Sequence, residues 1–364
     1  MKIIDAYIIK KYLGTFVFML ALLSIVVLVI DVQQKVPRIE QNGFTVSYFL
    51  IHYYPFWIIY LVVTFLSILV FISVIFFTSR MANNTEIVAI ISSGASFHRF
   101  AKPYLLASLF IAVLSLGINH FILPWANIKK NALEAYTYND VNREKILGSA
   151  SVSTQLSSSE YIFISSYNKK EKRGSGFAYQ KFDKNGRLVY QLSSNEVNWD
   201  KTKKTFVLNN FMEKTVKKDD TEILANGPER SKSFGLPPEE LFPDELLGQN
   251  KTTPNLIKFI KSEREKGNGN LNTYLNELHQ RTSMPLSIII LTFLALSLSS
   301  QKKRGGLGLN LALGIALAFI FVFSFEMLKV VSENNTLSPA VAMWLPNVFF
   351  GIIALVLYLK RANQ

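Results

Sequence analysis

Six long apolar segments constrain the fold of this chain more than any other feature. Each approaches the roughly 20 residues that an α-helix needs to cross the hydrocarbon core of a bilayer. Because backbone polar groups in hydrocarbon must find their partners within the protein, segments of this kind are expected to be helices. The six predicted spans are Tyr12–Val32, Pro55–Thr78, Tyr104–Pro124, Met284–Ser299, Leu307–Lys329 and Val341–Leu359.

Composition agrees with a membrane protein that carries polar appendages. Of the 364 residues 49% are hydrophobic, yet the formal net charge is +13, a combination that is unusual for a soluble globular domain. The chain has no cysteine, which excludes disulfides, thiol catalysis, Fe–S clusters and cysteine-type zinc sites. Leu13–Ile30 is long enough to span and no small-residue cleavage site follows it, so we expect an anchor and not a cleaved signal peptide.

The charges of the short segments between spans predict the orientation. If both termini face the cytoplasm, the short inside segments hold eleven cations against only Asp5 and Glu86. Short cytoplasmic segments characteristically carry such an excess of Lys and Arg. The sequence therefore predicts a multi-pass membrane protein with cytoplasmic termini and a large domain on the opposite side of the membrane. The eleven cations are Lys2, Lys10, Lys11, Arg80, Arg99, Lys102, Lys302, Lys303, Arg304, Lys360 and Arg361.

The predicted fold class is an α-helical polytopic membrane protein with six transmembrane helices, three before and three after an inserted periplasmic all-β domain. Short segments rich in β-formers follow a polar connector, and turn signals separate them. Strands of this spacing favour a small antiparallel sandwich or a jelly-roll-like domain. The expected strands are Ser151–Leu156, Tyr161–Tyr167, Gly176–Phe182, Leu188–Trp199 and Thr205–Val216, with turns at Asp183-Lys184-Asn185-Gly186 and Asn209-Asn210.

These patterns divide the chain into four parts. Residues 1–124 hold spans one to three, 125–250 the β domain, 251–283 connecting helices and 284–364 spans four to six. Gly227–Leu247, which is Pro-rich and acidic, is predicted to be an extended tail that crosses the sheet. Thr253 and Pro254 open a helix in the usual order of cap and proline, and Gly267-Asn268-Gly269 is expected to end it. A further helix is predicted from about Leu271 into the fourth span.

A polar island separates the second and third spans. Within Ser79–Pro103, the residues Ile87, Ile90, Ile91 and Gly94 fall at the spacing of one helix face. Asn83 followed three residues later by Glu86 is typical of a capping box, and Gly94 supplies a stop. We expect an amphipathic helix at about residues 83–94 that contacts another protein.

No motif for catalysis or nucleotide binding stands out in the sequence. The four histidines, His52, His98, His120 and His279, are scattered without an i, i+4 pair, so a metal site is not expected. No G-x-x-x-x-G-K-[ST] sequence occurs. Because topology accounts for the inside cations, nucleic-acid binding is not expected either. We predict no cofactor in this chain.

Charged residues near the span ends are the candidate lipid ligands. Lys35 and Arg38 follow the first span, where cations run against the topology rule. They fit attraction of a phosphorylated lipid, and equally a solvated interfacial loop. Glu326 and Lys329 lie late in the fifth span, where ionisable groups are functional candidates, although an i, i+3 ion pair would also explain them.

Four short stretches resemble one family when they are taken in order. Asp5-Ala6-Tyr7-Ile8 precedes the first span, and Asn84-Thr85-Glu86-Ile87-Val88-Ala89-Ile90 is followed by Ser93-Gly94. Leu278-His279-Gln280-Arg281-Thr282-Ser283-Met284-Pro285-Leu286 leads into the fourth span, and Arg304-Gly305-Gly306 follows it. With the arrangement of three spans, β domain and three spans, these stretches resemble the LptF/LptG lipopolysaccharide export permeases over essentially the whole chain.

The resemblance implies a permease subunit of an ABC transporter that extracts lipopolysaccharide from the inner membrane. The implied partners are a cytoplasmic ATPase dimer that uses the ATP, a second permease of the same family and periplasmic β-jelly-roll bridge proteins. Lys35 and Arg38 stand where the family keeps basic residues near the lipid phosphates. The polar island would be the coupling helix, with Asn84, Thr85, Glu86, Ile87, Ile90, Ile91 and Gly94 as the ATPase-coupling residues.

The sequence leaves two other functions open. A lipoprotein-release-type ABC permease has four spans with its large domain after the first, whereas three spans precede the domain here. A membrane-anchored envelope scaffold or sensor could use the β domain without energy coupling, but the inside helix is then unexplained. The sequence also leaves open whether the chain is LptF-like or LptG-like, and whether it pairs with itself or with a paralogue.

Overall fold

The computed structural model describes residues 3–138, 149–168, 171–217, 219–235, 237–241, 247–266, 270–301 and 306–363. Six helices in this part of the chain are long and apolar enough to cross a membrane, as the sequence predicts. They are α1 (Ile3–Gln41), α3 (Tyr54–Asn83), α5 (Phe97–Gly117) with its continuation into α6 (Leu123–Glu134), α10 (Asn272–Ser299), α11 (Gly306–Glu333) and α12 (Pro339–Ala362).

Two of these helices run further than the sequence predicts. The segment after Val32 was expected to be a loop, but α1 continues to Gln41 because its last turn buries Ile39 against α2 (Val46–His52) and the start of α3. The third span was expected to end at Pro124. Instead, one turn of π-helix at Ile118–Ile122 leads into α6, where the proline lies near the helix start and interrupts no essential bond.

Helix α10 is the centre of the bundle. It packs against α3, α5, α11 and α12, and its membrane window has the largest buried share of the six. The predicted extension of the short fourth span at its N-terminal side is confirmed, because α10 is one helix from Asn272 onward. The first span is the opposite case, with only 6% of its window buried in the chain.

Buried polar side chains join neighbouring helices at several levels. The Tyr12 and Thr292 hydroxyls lie 2.8 Å apart, and those of Ser67 and Ser287 lie 2.7 Å apart. The Asn347 side-chain amide donates to the Ser283 carbonyl at 2.7 Å. Each such bond contributes only about 0.6 kcal/mol on average inside membranes. They act mainly by fixing which helix faces meet, since an unpaired polar group in hydrocarbon is costly.

The inserted domain is a six-stranded antiparallel sheet in chain order, β1-β2-β3-β4-β5-β6. All five expected strands are confirmed, and so is the turn at Asp183–Gly186. Within the described residues the all-β domain is therefore built as a meander. The strands are β1 (Ser149–Ser157), β2 (Glu160–Asn168), β3 (Arg173–Phe182), β4 (Leu188–Asp200), β5 (Thr205–Val216) and β6 (Glu222–Lys232).

One face of this sheet forms the core of the domain. Ile162, Tyr179 and Leu192 are cross-strand neighbours in register, and all three are buried. Leu241, at the end of the single-turn helix α7 (Pro238–Leu241), completes this cluster. The Thr154 hydroxyl donates to the Leu241 carbonyl at 2.9 Å, which fixes α7 over the sheet.

Two predictions about the second half of the sheet are wrong. Gly227 belongs to strand β6 and not to an extended tail. The Phe211 ring lies so close to the Gly227 backbone that a Cβ atom at this position would lie 2.8 Å from a ring carbon and clash. Asn209 and Asn210 form no turn but lie inside β5. Asn210 has φ +52° there, a left-handed conformation that asparagine tolerates better than most residues.

Two helices and one cation connect the β domain to the fourth span. Helix α8 (Leu247–Asn250) and helix α9 (Thr253–Lys266) lie between them, and α9 starts at Thr253 and Pro254 as predicted. The Arg281 guanidinium on α10 is 1% exposed. Its N–H groups donate to Glu277, to the Thr253 hydroxyl and to the Gly248 carbonyl at 2.8–3.0 Å. The expected break at Gly267-Asn268-Gly269 lies outside the described residues.

We predict that Leu192→Ala destabilises the β domain by about 2–5 kcal/mol, because the side chain is fully buried and its loss leaves a cavity. Hydrogen exchange of the β4 peptides in the full chain would measure this as faster exchange. Leu224→Ala on β6 is the matched control. Leu224 is 63% exposed, so its change should stay within about 0.5 kcal/mol. Equal effects of the two variants would contradict this account of the core.

Candidate functional site

The polar island forms a short helix at the end of the bundle that carries the chain termini. Helix α4 spans Glu86–Ser92, which is shorter than the predicted 83–94. The capping box is wrong: Asn83 is the last residue of α3, and the residue before α4 is Thr85, which has φ +61° and no side-chain cap bond. Gly94 does end the segment as expected, in a left-handed conformation with φ +88°.

Glu86 does not point freely away from the protein. The Tyr7 hydroxyl donates to its carboxylate at 2.8 Å, and the Lys11 ammonium lies 3.2 Å from both carboxylate oxygens. Burial raises the pKa of the Glu86 carboxyl, but the hydrogen bonds from Tyr7 and Lys11 outweigh it and leave the pKa below its ordinary value. The ionised carboxylate therefore attaches α4 to the first turns of α1.

A second ion pair attaches the other end of the segment to α1. The Arg99 guanidinium, in the first turn of α5, donates two parallel bonds to the Asp5 carboxylate at 2.7 and 2.8 Å. Bidentate pairs of this type are among the stronger polar contacts in proteins. We call the residues Asp5, Tyr7, Lys11, Glu86 and Arg99 the α1 clamp.

The apolar residues of α4 divide between two surroundings. Ile87 is 1% exposed and belongs to the main core of the bundle, and Ile90 packs partly against that core. Val88 is 59% exposed and Ile91 is 36% exposed. Of the predicted face, Ile87 and Ile90 anchor α4 to the bundle, whereas Ile91 and Gly94 are exposed. Val88 and Ile91 remain available to a partner.

Lys35 belongs to a packed cluster at the opposite, β-domain end of α1. Its ammonium lies 3.0 Å from the Asp31 carboxylate and donates to the Tyr53 hydroxyl at 3.2 Å. It also lies 5.7 Å from the centre of the Trp57 ring, within range of a cation–π contact. Asp31 is fixed in turn by the Tyr54 hydroxyl at 3.0 Å. The solvated-loop explanation of Lys35 is therefore wrong, since this segment is helical and its charge is paired.

Arg38 lies one turn further along α1 and is more exposed. Its guanidinium donates to the Thr137 carbonyl at 3.3 Å, which connects α1 to the end of the third span. This one bond leaves further guanidinium donors on an exposed side chain. Lys35 and Arg38 thus lie on the same helix end, with Arg38 the more accessible of the two.

Glu326 and Lys329 lie at the same end of the bundle but apart from that cluster. In the described part of the chain no ion pair joins them, so the expected i, i+3 pair does not form. Both line a cavity of about 200 Å³, which we call the junction cavity, between α3, α6, α10 and α11. Its polar lining also includes Asn119, Asn127, Gln249, Glu277, Gln280 and Arg281.

Among the described residues, no group of three or more His, Asp or Glu side chains is placed to hold a metal ion. The candidate residues instead occupy three places: α4 at the termini end, the Asp31–Arg38 turns of α1, and the junction cavity. The structure does not bring these three sets into one pocket. Their chemistry is that of charge pairing and hydrogen bonding, which suits binding of an amphiphile and of partner proteins.

Comparison with known families agrees with this arrangement. The family model for the lipopolysaccharide export system permease LptF/LptG matches residues 6–360, which is nearly the whole chain. The chain belongs to the LptF/LptG family. This family consists of transport permeases and not enzymes, and it functions in lipopolysaccharide export. Six spans in a permease of this family indicate a multi-pass protein of the inner membrane. No curated protein matches the chain.

Sequence reasoning missed most of the α1 clamp and the acceptors of the junction cavity. Lys11 and Arg99 counted only as topology signals, although Tyr7 and Lys11 have the i, i+4 spacing of one helix face. Asn127 and Gln280 carried no signal, because a polar residue near a span end is usually solvated. Their buried oxygens become apparent only when α6 and α10 are placed side by side.

We predict that breaking the α1 clamp loosens α4. The native chain lacks cysteine, so a water-soluble maleimide labels an Ile87→Cys variant without background. The labelling rate then measures how readily position 87 becomes exposed. Asp5→Asn together with Lys11→Met should accelerate this labelling roughly tenfold, since the double variant removes both ion pairs that hold the segment to α1.

Val88→Cys, which is exposed already, provides the control and should label equally fast with and without the clamp. An unchanged labelling rate of Ile87→Cys in the double variant would show that the clamp does not hold α4.

Proposed function

We propose that this permease is one of two membrane subunits of an ATP-driven transporter that extracts lipopolysaccharide from the inner membrane. The family match over residues 6–360 carries the proposal. The sequence has no phosphate-binding motif of its own, so a separate cytoplasmic ATPase dimer would use the ATP. The β domain would pass the lipid to periplasmic jelly-roll bridge proteins.

The proposed orientation places the termini and α4 in the cytoplasm and the β domain in the periplasm. Its support is the excess of eleven cations over two carboxylates in the short segments at the termini end. In this orientation α4 faces the compartment that contains ATP, and the β domain faces the envelope.

We infer that α4 is the coupling helix. The surface that would contact the ATPase is formed by Val88 and Ile91, whereas the sequence led us to expect Glu86 in that role. Glu86 is already bonded to Tyr7 and Lys11, whereas Val88 and Ile91 expose apolar surface in a polar environment. Two exposed apolar side chains on a helix that is held firmly by the α1 clamp suit insertion into a groove of an ATPase. The clamp would then transmit the motion of α4 to α1.

A second permease would cover the sides of the bundle that this chain leaves open. The first and fifth spans have the smallest buried shares of their membrane windows, 6% and 22%. The first of these helices carries the candidate lipid ligands Lys35 and Arg38, whereas Glu326 and Lys329 on the fifth line the junction cavity. A lipid cavity formed between two permeases, lined by these helices, is consistent with both observations.

For coupling, we predict that Val88→Asp together with Ile91→Asp lowers retention of the ATPase roughly tenfold in a gentle-detergent purification. Burying two new carboxylates in an apolar contact is unfavourable. Leu224→Asp, on the exposed surface of β6, is the control for an added charge and should retain the ATPase. Normal retention by the double variant would contradict the assignment of α4, and absence of any ATPase from the native complex would favour the scaffold or sensor.

For lipid binding, we predict that Lys35→Glu with Arg38→Glu weakens crosslinking to lipopolysaccharide roughly tenfold, because each loses a cation that can pair with phosphate. Asp31→Asn is the matched control, since it breaks the same ion pair but keeps the Lys35 cation. It should retain crosslinking.

If Asp31→Asn reduced crosslinking to lipopolysaccharide as much as the double variant does, Lys35 would act only through the packing of its own cluster. Unchanged crosslinking in the double variant would remove both cations from the lipid path.

A further inference from the structure

The junction cavity is an amphipathic site at the boundary between the spans and the β-domain junction. Its volume of about 200 Å³ exceeds the roughly 30 Å³ share of one water. Phe65 and Glu326, both exposed, lie at its rim, so the cavity can be reached from outside the bundle. Its apolar lining includes Val63, Ile68, Leu123, Met284 and Val322.

Two buried oxygens in the cavity lack hydrogen-bond partners. Asn127 is 2% exposed, and its amide nitrogen donates to the Gln249 carbonyl at 3.2 Å, but its side-chain oxygen has no partner. The side-chain oxygen of Gln280 is likewise buried and unpaired. Since unpaired buried acceptors are costly, a ligand that supplies N–H donors would be favoured here.

The neighbouring arginine does not donate to these two oxygens. The Arg281 guanidinium is already committed to Glu277, Thr253 and the Gly248 carbonyl. The lining residues that lack an ion pair in the described structure are one carboxylate, Glu326, and one ammonium, Lys329. Apart from the Glu277–Arg281 ion pair, the cavity thus presents acceptors, one negative charge and one positive charge.

From this balance we propose that the junction cavity binds the phosphoethanolamine headgroup of a membrane phospholipid. The ammonium would donate to the Asn127 and Gln280 oxygens and pair with Glu326, while the phosphate would pair with Lys329. A trimethylated headgroup has no N–H to donate, and a purely anionic headgroup would meet the unpaired Glu326 carboxylate. The apolar lining suits the first part of the acyl chains.

This site differs from the lipopolysaccharide path proposed above in the chemistry that it selects. The cations Lys35 and Arg38 lie on α1 and favour phosphate, whereas the junction cavity favours a primary ammonium. The phospholipid would act as a structural wedge between α3 and α11 where the β domain joins the bundle. Its binding does not depend on the ATPase or on a second permease.

The test uses the purified full chain, delipidated in mild detergent, and three phospholipids with identical acyl chains. Phosphatidylethanolamine should bind roughly tenfold more tightly than phosphatidylcholine or phosphatidylglycerol in native mass spectrometry, a ratio equivalent to about 1.4 kcal/mol. Asn127→Leu and Gln280→Leu should each abolish that preference. Asn131→Leu provides the matched control: Asn131 lies one turn further along α6, also has an unpaired buried oxygen and does not line the cavity, so its variant should keep the preference.

Equal binding of the three lipids, or no binding, would overturn the proposal, as would a preference that survives both leucine variants. Lipopolysaccharide crosslinking is measured in parallel on the same variants. Normal crosslinking in Asn127→Leu together with loss of the ethanolamine preference would support a separate phospholipid site. Loss of crosslinking with an unchanged lipid preference would overturn it, because the cavity would then belong to the lipopolysaccharide path.

Discussion

The hydrocarbon of a bilayer offers no hydrogen-bond partners, and most of this structure follows from that constraint. Backbone groups are paired within helices, and the hydroxyl and amide side chains inside the spans are paired with one another or with carbonyls. These bonds contribute little energy individually. They decide which faces meet, and they concentrate on α10, which contacts four other helices and forms the centre of the bundle.

Helix α1 connects two charged clusters at opposite ends of the molecule. Its 39 residues correspond to about 58 Å of helix, well beyond the roughly 30 Å of the hydrocarbon core. One end holds α4 through Glu86 and Arg99, and the other places Lys35 among Asp31, Tyr53 and Trp57. A single rod therefore joins the proposed coupling segment to the proposed lipid ligands. In the proposed function, this helix would provide a direct mechanical path between ATP use by the partner and movement of the lipid.

The prediction of the fold from sequence succeeded where a segment has a strong hydrophobic pattern of its own and failed where that pattern is weak. The six spans and five strands have a strong hydrophobic signal, so their existence could be predicted. Strand β6 is almost entirely exposed, contains Gly227 and Pro228, and among the described strands pairs only with β5. Nothing in its own composition marks it as a strand. The extensions of α1 and of the third span are polar segments that stay helical because a few residues, such as Ile39, pack against neighbouring elements.

For the candidate site, too, the sequence determined one part and the tertiary structure another. The sequence alone determined a six-span membrane protein with an inserted β domain, a polar segment at Glu86 and cations after the first span, because hydropathy and charge are local properties of the chain. Only the tertiary structure decided which of those charges are available. It paired Glu86 with Lys11 and Lys35 with Asp31, left Val88 and Ile91 exposed, and enclosed unpaired oxygens of Asn127 and Gln280 in a cavity. Such pairing depends on which helices become neighbours, and the order of residues along one chain does not specify those distances.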